Sequence, residues 1–326
     1  RPVGSGPYMF KNWVPGNKLS MVRNDNYWES GKPYMDGINL HYIDQEDVRI
    51  AMVRTGEVDL ISRVTPTYLP ILEQNPDLKL IRKPGAWEGL ALNTSIAPFD
   101  NKALREAIAY SLNRQEIVDL QWAGLGSPIY QPVIPIDWAY VEGIDDYKHD
   151  LTKAKAKLAE AGYSAGVTIP LGCHSSTANI RLCEIEQAQL AKAGIKVEIN
   201  PIPPSDYWAT LYPSYPGKKT AFGKWRYSWR ADPEIVLRRL YHSAGSWNAV
   251  AHKNPEMDKL LDEGVVIYDI AEAKKVYEKI IRLAVSSVSH VALATTDMNI
   301  AMNNRVQNFK QHADPGQRYR EVWLSK

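Results

Sequence analysis

Apolar positions along the chain alternate between strand-like and helix-like spacing from the first fifty residues onward. Residues 38–43 alternate as a strand, and Asp44 is the predicted cap of a helix that ends at Gly56. Strand-like spacing resumes over residues 58–61. Short connections between alternating strands and helices are typical of an α/β fold, which we therefore predict.

The same alternation continues to the end of the chain. Asp100 and Asn113 are predicted to cap two successive helices. The second half predicts, in order, a helix over 151–161 that ends at Gly162, a strand over 167–171, a helix from about 178 to Gly194, a strand over 195–199, and two helices after Asn254. No internal repeat or low-complexity tract interrupts this order.

The chain of 326 residues is longer than one hydrophobic core usually supports, so we predict two domains. Gly, Pro and Ser cluster without periodicity over 124–135, and we interpret Gly124–Pro128 as a crossing between lobes. A return crossing is expected near 295–303. The predicted division is lobe one over residues 1–125 with 300–326, and lobe two over residues 126–299.

Charge and composition exclude several function classes. The net charge is +2 and the basic residues are dispersed, so the chain lacks the electrostatic footprint of a nucleic-acid-binding protein. No apolar run reaches the roughly 18 residues of a membrane span, which predicts a soluble chain. The chain opens Arg1-Pro2-Val3-Gly4 without a signal segment, so we expect any secretion signal to lie upstream.

The sequence offers little catalytic or metal-binding chemistry. It contains no phosphate loop, dinucleotide fingerprint, nucleophile elbow or zinc signature. The seven His residues are scattered, and the adjacent pair Cys173-His174 is more typical of coincidence than of a metal site or a thiol nucleophile. We therefore predict no catalytic residues, no metal and no cofactor, and a protein that is not an enzyme.

Several segments, taken in order along nearly the whole chain, resemble the family 5 extracellular solute-binding proteins. They are Pro2 to Tyr8 with Trp13; Asn24, Tyr27-Trp28, Pro33, Asp36, Arg49 and Gly56 to Asp59; Leu92 to Thr94, Pro98 to Asn101, Leu104 to Ala107 and Leu112 to Arg114; Ala154-Lys155, Leu158, Ala161 and Gly162; and Asp232 to Glu234, Asn248, Asn254 to Glu256, Asp258, Tyr319 and Trp323. Each segment alone is weak. Their shared order and spacing carry the resemblance.

The resemblance implies a two-lobed periplasmic-binding-protein-like fold of the class II type. It also implies that the protein is the substrate-binding component of an ABC importer, binding its solute between two lobes by hinge closure. The expected partners are the solute and the permease subunits, and the expected state is a periplasmic monomer or an extracellular membrane-anchored lipoprotein. Family members carry well over a hundred residues before the Pro2–Tyr8 segment. We therefore expect an N-terminally truncated chain with an incomplete lobe one.

The resemblance also indicates candidate ligand-binding residues. Arg181 stands where the dipeptide receptor has an arginine resembling a carboxylate anchor, and a guanidinium near a helix N-terminus suits that role. A solvent-facing arginine is the competing interpretation. Trp247 and Asn248 occupy a family position near the cleft. Arg49 and Arg105, also within the matching segments, are better interpreted as structural residues.

The segment from Trp225 to Asp232 matches the family's aromatic-to-Asp-Pro stretch. Peptide-binding members carry an aspartate three residues before this Asp-Pro, to hold the ligand ammonium, and Trp229 stands there in this chain. Asp232 is an alternative ammonium ligand, although Asp before Pro is commonly a turn former. Trp229 and Arg230 instead favour stacking or anion binding.

Three functions therefore remain open. The first is a receptor for a peptide or peptide-like solute, and the second is a receptor for a non-peptide such as an opine, an oligosaccharide or another acidic amphiphile. The third is an enzyme or interaction domain on the same fold. It would require a catalytic constellation, and none is apparent.

Cys173 and Cys183 could form a disulfide or remain two free thiols. A periplasmic protein favours a disulfide. Cys173 ends a predicted strand, however, while Cys183 lies more than one turn into the next helix, and bridged cysteines need Cα atoms within about 7 Å. We therefore predict two free thiols.

Overall fold

The computed structural model describes residues 3–211, 222–228, 230–311 and 316–325. The helices are α1 (Glu46–Thr55), α2 (Leu69–Glu73), α3 (Lys102–Ser111), α4 (Arg114–Trp122), α5 (Leu151–Glu160), α6 (Thr177–Lys192), α7 (Pro204–Leu211), α8 (Pro233–Tyr241), α9 (Pro255–Gly264) and α10 (Ile270–Ser287), with a 3-10 helix at Pro66–Tyr68. The strands are β1 (Tyr8–Val14), β2 (Lys18–Arg23), β3 (Gly37–His41), β4 (Leu60–Ser62), β5 (Leu78–Leu92), β6 (Ser127–Pro128), β7 (Val167–His174), β8 (Ile195–Ile202), β9 (Phe222–Ser228), β10 (His290–Asn303), β11 (Val306–Gln307) and β12 (Trp323–Leu324). None of the helices in this part of the chain is both long and apolar enough to cross a bilayer.

The chain divides into two compact units. Unit 1 consists of Arg1–Lys83 and Met298–Lys326, and unit 2 consists of Pro84–Asp297. The boundaries fall inside β5 and β10. The segment 124–128 lies within unit 2, where β6 pairs with β10, so the compact units differ from the predicted lobes over residues 84–125 and 298–299.

Helix packing explains why residues 84–125 group with the second half of the chain. Leu104, Ile108 and Leu112 are fully buried in one core with Leu171 and Leu190. The hydrophobic pattern predicted the α3 stripe but not its partner, because helical periodicity marks a buried face without identifying what covers it. The two lobes predicted to close about a hinge stay a prediction, because the compact units are defined by packing alone.

Unit 1 contains an antiparallel sheet and a small hydrophobic core. Strands β1, β2 and β3 pair in that order. The core contains Ile50 and Val53 of α1 and Leu69 and Leu72 of α2. Arg49 donates hydrogen bonds to the carbonyls of Ile43 and Asp44, so it ties α1 to the preceding loop, as predicted.

Unit 2 is built on a mixed sheet whose strands follow the order β10-β5-β9-β7-β8. Strands β7 and β8 are parallel and α6 connects them, whereas β5 and β9 are antiparallel. Alternate residues of a strand point to opposite faces of its sheet. Trp87 and Trp225 accordingly contribute to one core, while Leu90 and Phe222 contribute to another.

The helix starts agree with the sequence analysis to within a residue or two. Asn113 caps α4 and Asn254 caps α9 through their side chains, as predicted. Asn101 caps α3 in place of Asp100, and α1 begins after Gln45 without a side-chain cap.

The prediction of two free thiols is wrong. Cys173 and Cys183 form a disulfide, and their Cα atoms lie 6.7 Å apart. Helix α6 packs beside β7, so a residue in its second turn returns alongside the end of the strand. The prediction of free thiols depended on the rise along the helix. That rise does not by itself determine the distance between the two Cα atoms.

Candidate ligand-binding site

Aromatic side chains form a ladder across β5 and β9 in unit 2. Trp87 lies opposite Tyr227, and the two rings are stacked with centroids 5.8 Å apart. Trp225, two residues along β9, stacks on Tyr227 at 6.2 Å. Gly89 lies opposite Trp225, and a Cβ there would come within 2.5 Å of the Val291 carbonyl oxygen and 2.8 Å of the Trp87 ring. Glycine is therefore required for this arrangement.

The ladder is extended by residues from later in the chain. The Trp247 ring meets Tyr227 edge-on at 5.4 Å, and the guanidinium of Arg239 lies over Trp247 at 4.2 Å from the ring centroid, a cation–π contact. His290 of β10 contacts the edge of Trp225 at 5.9 Å. Such contacts fix the orientation of large rings beyond what area burial alone achieves.

A narrow cleft of about 10 Å³ opens at one end of this ladder, where β9 approaches the start of α8. Its lining consists of Trp87, Pro132, Val133, Ile134, Asp137, Tyr227, Ser228, Pro233 and Val236. The indole Nε1 of Trp87 is buried and has no hydrogen-bond partner among the residues that the structure describes. A buried donor without an acceptor is costly, so this N–H is suited to pair with a carbonyl or hydroxyl oxygen.

The opposite face of the same strands carries buried charge. Lys224 Nζ lies 2.7 Å from Glu186 Oε1, and both side chains are almost completely buried. Arg226 Nε lies 2.8 Å from Glu88 Oε1. Burial raises the pKa of the Glu186 carboxyl and that of Glu88, and the neighbouring cations partly offset this effect. Aromatic and charged residues thus alternate along β9, so the rings of Trp225 and Tyr227 lie on the face opposite to Lys224 and Arg226.

The predicted site residues of the Trp225–Asp232 segment differ in burial and in contacts. Trp225 is buried inside the ladder. Arg230 is half-buried, and Asp232 is exposed and caps α8 by accepting the backbone N–H of Glu234. Trp229 lies outside the described residues.

The remaining predicted residues belong to other parts of unit 2. Arg181 is exposed on α6, and its Nη2 donates a 2.8 Å hydrogen bond to the carbonyl of Leu120 in the last turn of α4. Trp247 joins the aromatic ladder. Asn248 organises its own loop, because its side chain bonds to the backbone of His242 and His252. The ligand contacts predicted for these residues stay predictions.

Sequence reasoning missed Trp87, Tyr227 and His290. Trp87 and Tyr227 each stand in an alternating strand segment, and the alternation of β9 places Tyr227 on the face of Trp225. No sequence signal pairs β5 with β9, because strand register between distant segments depends on the complete sheet.

Comparisons with known proteins agree on one family. The family model described as "Bacterial extracellular solute-binding proteins, family 5 Middle" matches residues 1–248. Heme-binding protein A of Haemophilus influenzae is 30% identical over 288 residues, covering 86% of this chain and 52% of that protein. The chain thus spans about half the length of the curated relatives that it matches.

Solved structures share the fold. The periplasmic binding protein DppA from Helicobacter pylori, in complex with the peptide STSA, superposes with a TM-score of 0.92 at 26% identity, covering 100% of this chain and 64% of that one. The binding protein AgaA from A.tumefacien R10, in complex with agropinic acid, has a TM-score of 0.88 at 27% identity and covers 100% and 68%. The predicted α/β fold of the periplasmic binding proteins is confirmed.

Proposed function

Because the chain belongs to family 5 of the bacterial extracellular solute-binding proteins, we propose that it is the substrate-binding component of an ABC importer. Its solute in this proposal is a peptide or a peptide-like molecule. The named relatives and structural neighbours are binding proteins, and no group of three or more metal-ligating side chains occurs among the described residues. A receptor for transport needs specific binding and no catalytic constellation.

The observation that carries the proposal is the donor at the aromatic cleft. Trp87 offers an unpaired indole N–H beside the Tyr227 ring, at the point where β9 leads toward Arg230 and Asp232. A peptide presents carbonyl oxygens that can accept such a donor and apolar side chains that pack on aromatic rings. Its carboxylate would find a guanidinium partner in Arg230, two residues after the Ser228 that lines the cleft.

A second candidate is a receptor for a non-peptide solute such as an opine, an oligosaccharide or another acidic amphiphile. Trp229 occupies the place of the family's ammonium-binding aspartate, so the contact that selects a peptide N-terminus is absent there. An aromatic residue that precedes Arg230 in the sequence suits a flat or carbohydrate-like anion instead. The neighbour AgaA was solved in complex with agropinic acid.

The proposal extends to partners and location. A solute receptor of this family would deliver its ligand to the permease subunits of the importer, from the periplasm or the outer face of the membrane. We propose that the protein does so as a monomer. The hinge closure that the resemblance implies stays a prediction.

Native mass spectrometry of the protein from its own host, followed by calorimetry with the co-purified solute, tests the proposal. We expect a bound small molecule, a peptide for the first candidate or a sugar- or opine-like acid for the second. Release of the solute unchanged supports a receptor, whereas its conversion to a product would indicate an enzyme. If no peptide and no acid binds, the proposed function is wrong.

A further inference from the structure

Unit 2 contains a second cavity that shares no lining residue with the aromatic cleft. Its volume is about 290 Å³, and its lining consists of Thr94, Lys102, Arg105, His252, Lys253, Asn254, Leu283, Ser286 and Ser287. Three of these side chains are cationic and none is a carboxylate. A concave surface lined by charge of one sign concentrates ions of the opposite sign.

Arg105 provides a fixed positive charge at the wall of this cavity. Its side chain is buried, and its guanidinium donates to the carbonyls of Phe99, Asp100 and Ser287 at 2.7 to 3.1 Å. These partners hold the group in place but carry no formal charge to neutralise it. The charge of Arg105 therefore remains available to a ligand in the cavity.

Two lysines at the mouth add to this charge. Lys102 is exposed and lies 3.8 Å from a carboxylate oxygen of Glu106, which itself pairs more closely with Lys157 at 2.8 Å. Lys253 is exposed, and no ion pair to it occurs among the residues that the structure describes. Both ammonium groups can therefore turn toward a ligand at little cost.

His252 supplies an independent indication that the cavity takes a polar ligand. The residue is 5% exposed, and its Nε2 is buried without a hydrogen-bond partner among the described residues. Tyr241 packs against the ring edge-on at 5.7 Å and fixes its plane. His252 is one of the lining residues, and its buried imidazole nitrogen without a partner is an open hydrogen-bonding position.

The start of α9 completes the lining. Asn254 caps this helix through its Oδ1, which accepts from the backbone N–H of Glu256 and Met257, and its amide nitrogen remains a donor. The Ser286 hydroxyl donates to the carbonyl of Leu283, and the Ser287 hydroxyl is engaged with the Ala284 carbonyl and with Ser289, so neither is a free donor to a ligand. Donors to an anion thus come from the basic side chains, the imidazole and the amide.

We propose that this cavity binds a small polyvalent oxyanion, either a phosphate group or a polycarboxylate, held by Lys102, Lys253 and His252 in front of Arg105. The volume accommodates a group of this size together with a few waters. The carboxylates of Asp100 and Glu106 act electrostatically on Arg105, and that of Asp258 acts on His252, so these groups limit the affinity through repulsion. The site is separate from the proposed solute site and does not depend on the proposed function.

Titration with inorganic phosphate and, separately, with citrate tests the site at constant ionic strength. Binding of each anion is measured by thermal unfolding and by the NMR signals of the His252 imidazole. We expect each binding anion to raise the melting temperature and to shift the His252 signals, while chloride at the same ionic strength does neither. A response to only one of the two anions shows whether the cavity selects a phosphate group or a polycarboxylate.

The double variant Lys102→Gln, Lys253→Gln should bind the anion at least tenfold more weakly, because it loses two cations and both residues are exposed enough to leave folding intact. The matched control is Lys155→Gln, Lys196→Gln, two exposed lysines elsewhere in unit 2 that change the net charge equally. An equal anion response in both double variants, or no response of the wild-type His252 signals to either anion, overturns the proposal.

Discussion

Trp87 and Tyr227 lie directly opposite each other across β5 and β9, with stacked rings inclined at 18°. Trp87 also lines the cleft beside the start of α8, and its buried indole N–H lacks a partner among the described residues. The relationship makes Trp87 the residue whose alteration best separates ring packing from hydrogen bonding.

We expect Trp87→Phe to weaken binding of the co-purified solute about fivefold, since one neutral hydrogen bond contributes roughly 1 kcal/mol. Calorimetry measures this change. Trp122→Phe is the matched control, because Trp122 is a buried indole of α4 in the other core of unit 2. Affinity that falls equally in both variants would indicate a general packing effect and no use of the Trp87 donor.

Arg181→Ala should weaken binding of a carboxylate-bearing solute by at least about 30-fold if Arg181 anchors that carboxylate, because loss of one partner of a buried charge pair costs roughly 2–5 kcal/mol. Without ligand, the melting temperature should hardly change, since the exposed side chain gives up only its bond to Leu120. Arg282→Ala, another exposed arginine, is the control. Unchanged affinity in Arg181→Ala would remove Arg181 from the site.

The buried side chain of His290 should make the protein less stable in mild acid. Burial, with a smaller effect of nearby His252, lowers its pKa from 6.5 to about 3, and both ring nitrogens lack a partner among the described residues. Between these two values the unfolded chain binds a proton that the folded chain does not, so the free energy of unfolding falls as pH falls. The slope from this one group approaches about 1.4 kcal/mol per pH unit.

Urea unfolding of His290→Phe between pH 6 and 4 checks this slope. The variant should lose less stability over that range than the wild type. Burial raises the pKa of Glu88 and Glu186, which gives a dependence of opposite sign, but both proteins share it. His149→Phe, at an exposed position, should keep the wild-type slope. Parallel profiles for wild type and His290→Phe would contradict the assignment.

The buried pair of Lys224 and Glu186 should respond asymmetrically to substitution. Lys224→Met alone should destabilise the protein by about 3–5 kcal/mol, because it leaves a buried carboxylate without its cation. Adding Glu186→Leu should recover part of that loss. For comparison, Arg282→Ala breaks an exposed pair with Glu278 and should cost at most about 1 kcal/mol. Strictly additive losses in a double-mutant cycle would show that the two residues do not interact.

Removal of the disulfide should lower the free energy of unfolding by about 2–4 kcal/mol, since the bond closes a loop in the unfolded chain. Denaturation of Cys173→Ala, Cys183→Ala measures the loss. A reductant should destabilise the wild type and leave this double variant unchanged. Quantitative alkylation of two thiols in the unreduced, unfolded protein would show instead that no bond forms.

The sequence by itself determined the local elements and the family. Asn113 and Asn254 could be recognised as helix caps because a cap bonds to backbone N–H groups only two or three residues away. The alternating strand of Ile169 and Leu171 is likewise a local property, and both residues are buried. Family membership was evident because short motifs kept their order along the chain, which requires no knowledge of contacts.

The tertiary structure alone decided which distant segments meet. Residues 84–125 group with unit 2 because α3 and α4 share a core with β7 and α6. Cys173 and Cys183 meet because α6 folds back on β7, and Trp87 meets Tyr227 because β5 pairs with β9 in one register. Periodicity shows that a face is buried, whereas the partner of that face depends on the free energy of packing the whole unit.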